Sequence, residues 1–85
     1  MIHHATSAFW DCYQRLPIAI QHLADKNYEL LRIDPDHPSL HFKKVGMYRS
    51  VRVGIVYRAL GIEEGNTVVW FWIGNHDEYE RLINR

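Results

Sequence analysis

The sequence predicts an α+β domain in which an N-terminal helical hairpin packs on a four-stranded antiparallel sheet and a short C-terminal helix closes the chain. Three observations predict it. Apolar residues recur at helical spacing as far as Ile33, the period changes to two after Pro38, and a capped helical pattern returns after Gly74. At 85 residues the chain suits one domain, residues 1–85, because a core split between two bodies would be too small to hold without disulfides or metals.

Each element has a local reason. Thr6 and Ser7 are natural caps for "AFWDCYQRL", where Phe9, Tyr13 and Leu16 fall on one helical face. Pro17 ends that helix and suits the start of a second, in which Ile20, Leu23, Ala24, Leu30 and Leu31 line a broad apolar face. The second helix stops at "DPDHP", since each proline pushes its predecessor out of the helical region. Strands are then expected at "LHFKKV", "YRSVRVG", "IVYRALG" and "TVVWFWIG", with a hairpin at Glu63 to Asn66. A stub of strand at Met1 to His4 is a further option. The last helix has Asn75 as its cap, acidic residues in its first turn, and Arg81 and Arg85 toward its end, matching the helix dipole.

Alternation assigns the faces. If Leu40, Phe42, Val51, Val53, Ile55, Tyr57, Val69, Phe71 and Ile73 meet the helices, then His41, Lys43, Ser50, Arg52, Arg58, Trp70 and Trp72 look the other way. A Trp in a central strand is more often core, which leaves Trp72 as the better exposed aromatic. The net charge is zero, yet the stretch Ser39 to Gly61 holds five of the ten Lys and Arg residues and none of the ten Asp and Glu. Such segregation points to a surface for a polyanion, with tryptophan as a stacking platform. His76 and Tyr79, at the start of the last helix, would lie beside it, His76 as a proton acceptor.

Other classes are disfavoured. One cysteine, Cys12, gives no intramolecular disulfide framework and fits a reducing compartment. No run is long and apolar enough to cross a membrane and no leader pattern is visible, so a soluble cytoplasmic protein without a membrane partner is expected. The six histidines have no recognised zinc spacing, and no nucleotide-binding glycine pattern or nucleophile elbow occurs; no metal or cofactor is expected.

The strings "SLHFKKVG", "YRSVRVGIVYRALG" and "VVWFWIGNHDEYERLI", behind a hairpin ending in "DPDHPSL", resemble the RelE/ParE superfamily of toxin-antitoxin toxins over nearly the whole chain. The resemblance implies a RelE-like fold and a type II toxin that cuts mRNA on the ribosome by attack of a ribose 2′-hydroxyl on the adjacent phosphate. It also implies a cognate antitoxin and a toxin-antitoxin hetero-oligomer able to bind operator DNA. A ParE-like, non-catalytic inhibitor of DNA gyrase and an inactive homologue that binds only its antitoxin are the alternatives. Carried over by position, Arg52 and Arg58 would hold phosphate, Lys43 would stabilise charge or move a proton, His76 would do acid/base work and Tyr79 would orient or stack. Lys44, Arg49, Trp72 and His41 would be RNA contacts. Lys43 and Lys44 are adjacent and should face opposite ways, so only one can enter the site.

Overall fold

The structure is a computed structural model that describes residues 1–84; the Arg85 assigned to the last helical turn lies outside them. Its elements are β1 (Ile2–Ala5), α1 (Ser7–Gln14), α2 (Ile18–Ile33), a 3₁₀ turn (Pro38–Leu40), β2 (Lys43–Val45), β3 (Tyr48–Val53), β4 (Tyr57–Glu64), β5 (Thr67–Asn75) and α3 (His76–Ile83). The α+β architecture is the one expected, with one correction. The sheet has five strands in the order β1-β5-β4-β3-β2, and β1 pairs parallel to β5. β1 pairs with residues some 65 positions away, and its histidines lack an apolar strand pattern, so only a stub was legible.

Caps and turns set the boundaries. Thr6 Oγ1 accepts from Phe9 N at 3.2 Å to start α1, and Asn75 Oδ1 accepts from Glu78 N at 2.9 Å to start α3. The β2–β3 and β4–β5 hairpins turn on Gly46-Met47 and Gly65-Asn66, each with glycine at positive φ in the first position, as two-residue turns that follow strand twist require. The second strand is shorter than expected. Leu40 belongs to the 3₁₀ turn, fully buried, and pairing begins only at Lys43.

Val51, Val53, Ala59, Val68, Trp70 and Ile73 form the sheet side of the core, with Leu16, Leu31 and Leu40 from the segments above. Burying each large side chain of this set contributes about 1.5–3 kcal/mol. Trp70 is therefore core, while Val69 and Phe71 are not. β5 carries one residue more than β4 at this point, Leu60 pairing with Trp72 but Gly61 with Trp70, and this bulge at Phe71 inverts the alternation upstream of Ile73. Ile55, also expected to face the helices, sits in the β3–β4 turn and is 85% exposed.

The opposite face is not wholly open. α3 lies against β4 and β5, and beneath it Leu60 and Ser50 are buried although the register points both away from the helical hairpin. No helix among the described residues is long and apolar enough to cross a membrane.

A candidate anion-binding cleft

The register builds a row of cations across the sheet. Lys43 pairs with Ser50 and Arg52 pairs with Arg58, which in turn pairs with Gly74. His41, which ends the turn before β2, reaches the same side as Lys43, and two residues beyond Gly74 the chain reaches His76. His41, Lys43, Val45, Ser50, Arg52, Arg58, His76, Tyr79, Glu80 and Ile83 enclose a cleft of about 220 Å³. That is below the ~300 Å³ at which drug-sized pockets begin, so the cleft fits a small group such as a phosphate. Its floor is β3 and β4; one wall is α3 and the other is the segment leading into β2.

Two arginines directly opposite each other are a cost to a sheet unless something negative lies between them, because like charges on facing positions repel. Burial, and after it the Arg52 charge, pull the Arg58 pKa below the ordinary arginine value, against a smaller opposing pull from Tyr79 and Glu80. Arg58 Nη1 is held by backbone carbonyls of the β3–β4 turn, donating to Tyr57 O at 2.7 Å, Ile55 O at 3.1 Å and Gly54 O at 3.5 Å. Arg52 Nε is buried with no protein hydrogen-bond partner. A buried donor left unpaired costs about 1–3 kcal/mol, so the site carries a local penalty at Arg52.

α3 supplies the titratable groups. His76 Nε2 lies 3.2 Å from Glu80 Oε1, one helical turn on. His76 N also donates to Val56 O at 2.6 Å, tying the helix start to the turn that holds Arg58. Tyr79 is 5% exposed, and its hydroxyl accepts from Ser50 Oγ at 3.0 Å, so its ring supports the wall, 5.8 Å from the His76 ring. That burial leaves no room for the base stacking assigned to Tyr79.

The structure thus brings together His41, Lys43, Arg52, Arg58, His76 and Tyr79, and separates others from them. Arg49 lies on the opposite face, 2.9 Å from Glu63 Oε1 and over the Phe42 ring at 5.0 Å. It packs there, outside the cleft. Lys44 pairs with Arg49 and shares its side, away from the cleft. Trp72 is on the cleft's side of the sheet, half-buried, paired with Leu60 in the next row and lying over Gly74, but it does not line the cleft. Tyr48 and Phe71 meet nearby at 5.7 Å. The charged cleft residue missed by sequence reasoning is Glu80. Its signal was the i,i+4 spacing from His76, which puts both on one helical face.

A larger cavity of about 520 Å³ lies between the helical hairpin and the sheet, but no Lys or Arg lines it. Among the described residues no three His, Cys, Asp or Glu side chains converge as a metal site.

No protein-family model matches the sequence, and no curated protein matches it either. Solved structures do. The RelB-RelE antitoxin-toxin complex from Methanococcus jannaschii contains a chain that superposes with a TM-score of 0.73 at 17% identity, covering 93% of this chain and 96% of that one. A chain of the RelBE2 toxin-antitoxin complex from Mycobacterium tuberculosis gives 0.66 at 19% identity, with 88% and 96% covered. The isolated RelE toxin of E. coli gives 0.63 at 10% identity, with 99% and 96% covered. The chain has the RelE-like fold.

Proposed function

We propose that the protein is a toxin of a type II toxin-antitoxin system, acting in the cytoplasm as a ribosome-dependent mRNA endonuclease. The observation that carries this reading is the facing Arg52–Arg58 pair at the floor of a phosphate-sized cleft, with His76 and Glu80 on its wall. Two fixed cations and Lys43 would neutralise the charge that builds on the phosphate oxygens as a 2′-oxygen attacks. His76 would take the 2′-hydroxyl proton, its ring oriented through the Glu80 contact. Products would be a 2′,3′-cyclic phosphate and a 5′-hydroxyl. Trp72, Tyr48 and Phe71, on the same face outside the cleft, are the surface on which neighbouring bases would stack.

The RelB-RelE and RelBE2 chains of the same fold were solved with antitoxins, and an antitoxin partner, with a hetero-oligomer on operator DNA, belongs to the same reading. Primer extension on a defined mRNA, with and without translating ribosomes, tests it. Cuts that require ribosomes are expected. Intact mRNA under both conditions, with folded protein, overturns it; a gyrase supercoiling assay on the same sample then separates a gyrase inhibitor from an inactive antitoxin-binding homologue.

A further inference from the structure

His41 is the one non-glycine residue at positive φ among the described residues, at φ 45 and ψ 44. It ends the Pro38–Leu40 turn, a position where glycine, lacking a Cβ, is the undemanding choice. Its neighbours fix where it goes. Leu40 is fully buried and Phe42 packs against the core, so the chain is anchored on both sides of His41 while its own side chain reaches the other face. There it forms the wall opposite α3, across Arg52 and Arg58 from His76. Lys43, Arg52 and Arg58 from the sheet and His76, Tyr79 and Glu80 from α3 are the titratable groups that share the cleft with it.

Cleavage by a 2′-hydroxyl needs two proton transfers on opposite sides of the phosphorus, because attack and departure are in line. One group must take the 2′-proton and another must protonate the leaving 5′-oxygen. Resting on the nuclease reading above, we infer that His41 is the general acid that protonates the 5′-oxygen, a catalytic residue rather than a passive RNA contact. The 2′-O–P bond forms as the P–O5′ bond breaks; the 2′-proton goes to His76 and the His41 proton goes to O5′. No oxidant, reductant or metal enters the balance.

A leaving group that needs no proton tests this. An mRNA with a single 5′-bridging phosphorothiolate at the mapped cut site expels a thiolate, and thiols have a pKa of about 8.5, far below that of an alcohol. His41→Gly keeps the left-handed backbone at no steric cost, so its Tm should equal or exceed that of the wild type. On ordinary mRNA the variant should cut about 100-fold more slowly, and on the phosphorothiolate it should return to within a few-fold of the wild type. His76→Gln should stay slow on both. His41→Asn, tolerant of the same backbone, should behave as His41→Gly does. An equal loss on both linkages, or no loss on either, overturns the general-acid role and leaves the nuclease reading standing. Wild-type protein that cuts neither RNA overturns both.

Discussion

The two faces of the β3–β4 pair are built from alternate residues of the same strands, yet they solve opposite problems. Val51, Val53 and Ala59 face the hairpin, where shape and apolar area decide the outcome. Ser50, Arg52 and Arg58 face the cleft, where charge is crowded against charge and a buried Nε has no protein partner. A face selected only for stability would not set arginine opposite arginine. The difference teaches that the first face is settled by the chain's own packing, whereas the second keeps a facing arginine pair and a buried donor that no protein group satisfies.

Substitutions can break or sharpen that contrast. The largest effect is expected on the covered face: Trp70→Ala removes a core ring whose Nε1 donates to His3 Nδ1 at 3.0 Å, and should cost about 3–5 kcal/mol in denaturant unfolding. Arg52→Ala should do the reverse. Its Tm should hold or rise as the repulsion with Arg58 is relieved, while mRNA cleavage in primer extension falls by about 10²–10³-fold. A Tm loss as large as that of Trp70→Ala would return Arg52 to packing and erase the contrast.

A smaller effect is expected at His3, wedged between Trp70 and Tyr28. Burial, then the amino terminus and Arg32, lower its pKa from the usual 6.5. The unfolded chain therefore takes up this proton first as pH falls. The contribution is present above the usual value and is lost as pH drops from about 6.5 through the lower folded value. Thermal melts between pH 7 and 5 should show this slope, and His3→Asn should flatten it. The smallest effect belongs to Arg49→Gln: at most about 1 kcal/mol from the half-buried pair with Glu63, with mRNA cleavage unchanged. Reduced cleavage at normal stability would extend the nucleic-acid surface to the covered side.

What was legible in the sequence follows the range of the interactions. Helix caps at Thr6 and Asn75, the stop at "DPDHP" and the Glu63–Asn66 hairpin are decided by neighbours within a few residues. The row of Arg52 and Arg58 follows from a period of two on short strands. "VWFW" could not be phased, because every residue in it is apolar and either alternation reads equally well; the bulge at Phe71 is set by pairing with β4. Arg49 looked like one more cation of the run, although the same period of two sets it with Val51 and Val53 rather than with Arg52; the register with Gly61 and the Glu63 contact bear out the alternation. Glu80 was not legible as a site residue because it lies outside the basic stretch, and only the docking of α3 on β4 and β5 brings it to the arginines.

The bulge also makes β5 tolerant of a change in length. Phe71 is a residue the ladder with β4 does not need: without it, Trp70, Trp72, Ile73 and Gly74 would alternate regularly and keep their present sides. A deletion there would leave the core, the arginine row and the launch point of α3 in place. The same deletion in β3 or β4, where no residue is spare, would exchange the two faces and bury the arginines.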